Sequence, residues 1–541
     1  MTLLNTTIPA PEQDTEEIRE IPKSALPNKG LACFGAPGVG KSKALRGLAW
    51  LLFLDEIPTV LLDMKGDTID YFLDKLIRNL SYLPQDVCDK YWERVVYIDM
   101  HGQYGYVVPF PFFYRLGTER SLWEISERYL QVLLRSDPGL ADRPIMGWPP
   151  MHKMGVYAGM VLSALSFQIT EIFDLLRNPE QWDSRFSQAR SRYPTVTEAV
   201  NYFRTEYIPM RQTDRERLNT ALLNKLFPIR LDRRLRAMFG ASQPGISFAE
   251  AAPKNHMVLM DCRHIQGDMR RFKSQLVIDY LMAYIKSRGR SPTPFAVIFD
   301  EFPQMTVNVS SGTNPLAAAF DSLIQAYMRS SQIWLAIGLQ SPLQLDEQLR
   351  QTVLPLGSYL IGQQTTPAAA RILAESVYRL DRYKVWYTRT IYTRVARGEE
   401  QPVVSQYMPL DLQREQLANR IRNLRRFQFL LRPGVNEGEI GTAVYPVSIK
   451  TVDPGQFPDR EVLEPLYPIL AAGSGTWVDD LIKEREARLT PHQPQETPRR
   501  QGAPRRRSPE PPREETAPEP QDPEPTPKSL RRTIQRRRLI P

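Results

Sequence analysis

The octapeptide Gly35-Ala36-Pro37-Gly38-Val39-Gly40-Lys41-Ser42 fits GxxxxGK[ST] at every fixed position. Glycines there let backbone N–H groups converge on phosphate oxygens, and a following helix presents its positive N-terminus to the same anion. Lys41 is placed to reach the β- and γ-phosphates, and Ser42 to ligate Mg²⁺. A chance match in a loop is the alternative. However, the apolar run 31–34 precedes the motif and a Leu- and Ala-rich stretch, 42–54, follows it. Strand, glycine-rich turn and helix are the context the motif requires, so ATP and Mg²⁺ are the expected ligands.

A magnesium ion also needs an acidic partner on a neighbouring strand. Phe295-Ala296-Val297-Ile298-Phe299-Asp300-Glu301 supplies five apolar residues and then two carboxylates. Asp300 is expected in the magnesium shell, and Glu301 is expected to polarise the attacking water. An ordinary strand with an acidic turn would look the same, but beside a complete phosphate loop the catalytic reading is preferred. The run 333–339 closes on Gln340. That amide would face the γ-phosphate at the carboxyl edge of a sheet, or else bond only loop backbone. Arg329 ends the stretch before this strand. A cation is favourable at a helix C-terminus for local reasons. It would also serve as an arginine finger on a neighbouring subunit's nucleotide. Both readings stay open.

These groups have to be held by alternating strands and helices. Runs 59–62 and 95–98 end at Asp63 and Asp99, and further runs lie at 257–260, 295–299, 333–339 and 359–361. Helical stretches between them, notably 273–287 and 316–330, predict a parallel α/β sheet. Late strands are expected at 427–431 and 442–449. Helical periodicity dominates 118–239, with stretches 122–134, 151–165, 196–203 and 215–226. The expected organisation is a loose arm over 1–28, then a core in two parts, 29–117 and 246–450. An all-helical insertion at 118–245 interrupts it, a helical extension follows over 451–490, and a disordered basic tail closes the chain over 491–541.

The tail is Pro-rich and lacks apolar periodicity, so it cannot bury enough surface to offset its chain entropy. It holds twelve Lys/Arg against seven Asp/Glu, and so carries more than half of the +9 net charge of the 541-residue chain. The rest is only modestly basic, which does not by itself prove DNA binding. Its end, 528–540, would form a basic helix on a protein partner. The three cysteines, Cys33, Cys88 and Cys262, have neither disulfide-framework nor zinc-ligand spacing and suit a reducing cytosol. No apolar run approaches the ~20 residues of a membrane helix. No integral membrane segment and a cytoplasmic location are therefore expected.

Between Arg379 and Arg397, cations interleave with Tyr383, Trp386, Tyr387 and Tyr392. This suits single-stranded nucleic acid, or a hairpin with charges outside and aromatics within. The cluster Arg230 to Arg236 reads as a solvated helix face or a phosphate contact. Lys65 and Asp67 sit where nucleotide or intersubunit contacts occur, or in a plain turn.

The motifs together resemble the FtsK/HerA superfamily of DNA-pumping ATPases, and most closely the soluble motor domain of type IV secretion (conjugative) coupling proteins. The matching segments are GAPGVGKS, LLDMKGD (61–67), VIFDEF (297–302), MRSSQIWLAIGLQS (328–341) and GQQTTPAAARILAESV (362–377). The resemblance covers about residues 29–450. It implies a RecA-like P-loop NTPase sheet, a homohexameric ring with DNA in its central pore, and Arg329 acting in trans. Membrane helices usually begin coupling proteins, and a β-barrel begins HerA-type helicases; residues 1–28 resemble neither. The expected function is an ATP-driven DNA translocase in conjugation, mobile-element transfer or packaging. Alternatives are a helicase or repair motor working with a nuclease, and an ATP-gated scaffold that hydrolyses slowly.

Overall fold

The parallel strands of this chain are short, apolar and almost wholly buried, as in a sheet covered by helices on both faces. The structure, a computed structural model, describes residues 5–10, 13–20, 30–115, 121–136, 149–265, 267–306, 331–354, 356–377, 385–389, 404–432, 445–449 and 460–489, with a few positions between 317 and 330. In chain order the strands are β1 (Asn5–Ala10), β2 (Gln13–Glu20), β3 (Leu31–Phe34), β4 (Thr59–Asp63) and β5 (Val95–Asp99). Next come β6 (Tyr106–Val107), β7 (Met257–Asp261), β8 (Phe295–Asp300), β9 (Ile333–Leu339) and β10 (Ser358–Ile361). The remainder are β11 (Val385–Arg389), β12 (Val404–Tyr407), β13 (Gln428–Arg432), β14 (Tyr445–Ile449) and β15 (Thr476–Trp477).

Eleven strands form one sheet in the order β2-β1-β14-β13-β10-β3-β9-β8-β4-β7-β5. From β10 to β5 all neighbours are parallel. Beyond β10 the pairing is antiparallel. The α/β class and the RecA-like parallel sheet expected from sequence are present. β9 lies between the strand that enters the glycine-rich loop, β3, and the strand that ends in two carboxylates, β8. This order brings residues 42, 300 and 340 to one edge.

Alternation splits each parallel strand between two cores. In β3, Leu31 and Cys33 join one core, while Ala32 and Phe34 join the other. Helix Lys41–Leu54 covers the first face with Ala44, Leu45, Leu48 and Leu52, a spacing of one, three and four that keeps them on one side. Helices fill most of the stretch from Leu122 to Gly240 and bury Trp182, Phe186, Phe203 and Tyr207. The helix expected over 196–203 is instead three pieces: Pro194–Val196, Thr197–Asn201 and a wider π turn, Tyr202–Tyr207. The rings of that turn pack on each other and on Phe186 at centroid distances of 5.3–5.5 Å.

Two further expectations need correction. Residues 1–28 are not simply a loose arm, because β1 pairs with β2 and also with β14. Polar residues dominate both strands, so the apolar runs that mark the other strands of the sheet are absent here. The cluster around Arg230 breaks at Asp232, whose carboxylate accepts from the backbone N–H groups of Arg234 and Leu235 and caps helix Arg233–Gly240. Arg233 pairs with Asp479 at 2.8 Å and Arg234 with Asp232, which is a structural use of these cations.

Arg329 and the tail 491–541 lie outside the described residues. Of 379–397 only 385–389 is described, as β11 paired antiparallel with β12. Among the described residues, no single helix is long and apolar enough to cross a membrane.

Candidate active site

The glycine-rich loop leaves β3 and is fastened at both sides. Gly35 N donates to Leu339 O at 3.0 Å, and Ala36 N donates to Gln363 O at 2.9 Å. Gly38 and Gly40 have φ of 81° and 106°, values that glycine adopts without penalty. A third fastening comes from the lead-in to β13. Arg426 Nε donates to Gly38 O at 2.9 Å, and Phe427 N donates to Val39 O at 2.9 Å. A trans peptide sets C=O and N–H in opposite directions, so the bond on Val39 O turns Gly40 N–H away from Phe427. The Phe427 ring closes the outer side: a Cβ on Gly40 would fall 2.6 Å from it, and Lys43 Nζ lies 4.5 Å from its centroid.

Lys41 opens the helix and is buried. Its Nζ donates to Glu301 Oε1 at 3.1 Å, and Lys65 Nζ meets the same oxygen at 2.7 Å. Gln340 Nε2 donates to Glu301 Oε2 at 3.0 Å. Three donors from three separate segments thus converge on one carboxylate. Burial alone would raise the Glu301 pKa, but the charges of Lys41 and Lys65 outweigh it and hold the carboxyl below its usual range. Glu301 has φ 59° and ψ 46°, a left-handed backbone that turns its side chain back over the sheet edge.

Asp300 sits deeper. Its Oδ2 accepts Thr68 Oγ1 at 2.9 Å, while its buried Oδ1 has no hydrogen-bond partner among the described residues. An orphaned carboxylate oxygen near the loop is what an oxygen-seeking divalent cation requires. The chemistry of this carboxylate therefore fits magnesium. Asp63, the neighbour of Asp300 in register, accepts from Lys65 N, Thr68 N and Ile69 N. Its pKa is pushed up to about 6, by burial first and then by the charge of Asp300.

Further along the same edge, the pattern apolar strand–Asp–x–basic residue recurs, with Lys65, Arg263 and a His101 that burial and Arg234 bias towards its neutral form. Asp63, Asp99 and Asp261 stand in register, and each accepts the N–H two residues on, from Lys65, His101 and Arg263 at 2.8–3.0 Å. Arg263 then closes the far end. It bonds Asp261 Oδ2 at 2.7 Å, Asp70 Oδ2 at 3.0 Å and Tyr467 Oη at 3.1 Å. A cleft of about 540 Å³ opens beside it, lined in part by Tyr104, His264, Arg460 and Glu464.

Of the residues selected from sequence, Lys41, Asp300, Glu301 and Gln340 meet at the loop, with Ser42 beside Lys41. Gln340 does not bond loop backbone alone; its amide side chain is on Glu301. Thr68, Arg426 and Phe427 were missed. The repeated Asp-x-basic pattern was visible in the sequence and would have flagged the loop that carries Thr68. No local signal marks Arg426 or Phe427.

No family model matches the chain, and no curated protein matches it. Solved structures do. One is the bacterial conjugative coupling protein TrwBdeltaN70 in an unbound monoclinic form, at 16% identity and a TM-score of 0.48, covering 83% of this chain and 91% of that one. Another is the plasmid coupling protein TrwB in complex with ADP and Mg²⁺, at 17% identity and a TM-score of 0.47, covering 84% and 95%. VirB4 of Thermoanaerobacter pseudethanolicus is a third, at 11% identity and a TM-score of 0.43, covering 79% and 90%. The chain is similar in fold to these proteins.

Proposed function

We propose that this chain hydrolyses ATP. The observation that carries the reading is the meeting of Lys41, Glu301 and Gln340 at the mouth of a glycine-rich loop, with Asp300 Oδ1, next in sequence, unpartnered among the described residues. When ATP enters, Lys41 exchanges Glu301 for phosphate oxygens. Glu301 then accepts a proton from water as that water attacks the γ-phosphorus, and Gln340 orients it. The bond from the γ-phosphorus to the bridging oxygen breaks, and ADP and phosphate leave. Ser42 and Asp300 would hold Mg²⁺, which when bound would neutralise charge on the phosphate oxygens.

The finer reading is a DNA translocase working as a hexameric ring. It is supported by the resemblance of the GAPGVGKS, VIFDEF and MRSSQIWLAIGLQS segments and by the position of Arg329 before β9. In this reading Arg329 completes a neighbour's site, and the basic tail recruits a partner. Steady-state ATPase assays with and without single- and double-stranded DNA, alongside particle mass, test it. DNA-stimulated turnover from a ring-sized particle is expected; a monomer indifferent to DNA would overturn the translocase. Mixing Arg329→Ala with Lys41→Ala chains should recover activity that neither has alone, since a mixed interface joins an intact Lys41 to an intact Arg329. Trans arginines are worth about 10³–10⁵ in rate, whereas a helix-end cation is worth about 0.3–1 kcal/mol of stability.

A further inference from the structure

Glu301 Oε1 is shared by two ammonium groups, Lys41 Nζ at 3.1 Å and Lys65 Nζ at 2.7 Å. The two lysines differ in what else they must do. Lys41 belongs to the phosphate loop, and a bound triphosphate draws it off the carboxylate. Glu301 then faces a polyanion with one of its two cations gone, and repulsion would swing it out of line with the attacking water.

Lys65 is built to stay. Its backbone N–H is fixed on Asp63 Oδ1 at 2.9 Å. The helix that follows, Asp67–Leu80, is tied to Asp300 by the Thr68 hydroxyl at 2.9 Å. The lysine's root is therefore rigid relative to the strand end that carries Glu301. The side chain itself is half-exposed, at 48%, so it can adjust as the carboxylate settles. Gly66 at φ 81° makes the turn possible, and Arg263 packs where a Cβ would be.

We propose that Lys65 is the positioning residue for Glu301, holding the carboxylate in line with the attacking water while Lys41 is engaged with the phosphates. This rests on the ATPase reading of the site, and it assigns Lys65 to the same chain's reaction rather than to a turn or a subunit contact. Because it acts through Glu301, its effect should disappear where Glu301 is already disabled.

The test uses the full chain with Lys65→Met, Lys65→Arg, Glu301→Gln and the double variant Lys65→Met/Glu301→Gln, each titrated with a fluorescent ATP analogue and assayed for turnover. Lys65→Met should lower kcat about tenfold or more, part of what a positioned base contributes. It should leave KM for ATP within about twofold, since no ground-state contact to nucleotide is lost. Lys65→Arg should recover most of the loss, and Lys65→Met should add nothing in the Glu301→Gln background. Parental kcat in Lys65→Met overturns the inference. So does a raised KM at unchanged kcat, which would put Lys65 on the nucleotide, and so does an additive loss in the double variant. Absence of turnover in the parent chain would overturn the ATPase reading and this inference together, whereas turnover insensitive to Lys65 removes this inference alone.

Discussion

At the end of β7, Asp261 commits Oδ1 to Arg263 N and Oδ2 to Arg263 Nε and Tyr97 Oη. At the end of β8, among the described residues, Asp300 commits only Oδ2, to Thr68. Both are buried carboxylates on neighbouring parts of one sheet edge. Around Asp261 an arginine, a second aspartate and two tyrosines complete a closed network. Around Asp300 and Glu301 the cations are lysines, one from a phosphate loop, and one oxygen is left open. Closed pairing of buried charge secures the fold, while open valence is what a ligand can use.

The comparison is broken most directly at Lys41. Lys41→Ala should abolish hydrolysis, a loss of several orders of magnitude in rate, because its charge serves the phosphates. Turnover near the parental rate would dissolve the distinction between the two halves. Glu301→Gln should keep ATP binding and lower kcat by about 10²–10⁴, the usual worth of a general base. Loss of binding in an equilibrium titration would move Glu301 to the structural side.

On the closed half the expectation reverses. Arg263→Ala leaves Asp261 and Asp70 buried without their cation, so urea denaturation should report about 3 kcal/mol or more of lost stability. Turnover per folded molecule should stay parental, and a large fall in kcat would make the far half part of the reaction. The smallest effect is expected behind the glycine-rich loop. Arg426→Ala removes one hydrogen bond to Gly38 O, worth about 1 kcal/mol, or roughly fivefold in nucleotide Kd at unchanged kcat. An unaltered Kd would show that the loop holds its shape without this support.

The chemistry legible in the sequence was contiguous chemistry. Residues 35–42 carry their own consensus, and Asp300-Glu301 announces itself by following five apolar residues. Strand and helix locations followed from periodicity, because burial imposes it. Strand order did not, since β3 finds β9 and β10 across hundreds of residues and nothing local encodes the choice. For the same reason Arg426 was invisible, 388 positions from the carbonyl it bonds, and Lys65, 236 from Glu301, could be read equally as a plain turn. The hairpin β1–β2 escaped notice because it is polar, and its other partner, β14, is remote in sequence.

Glu301 holds a backbone conformation that costs most L-residues about 1–2 kcal/mol and glycine almost nothing. On backbone grounds alone, Gly or Asn would be favoured at this position. Opposing that, removing the carboxylate in the free chain strands Lys41, a buried ammonium, without a counter-ion. Nucleotide shifts the balance, since phosphates then compensate Lys41 and the carboxylate keeps only Gln340 and the half-exposed Lys65 to set against the backbone preference. Mutational tolerance at position 301 therefore depends on ligand state. Selection for stability in the free chain keeps the glutamate, and selection in the loaded one erodes it. A laboratory evolution run carried out with saturating nucleotide would drift toward stable, inactive chains at this one position.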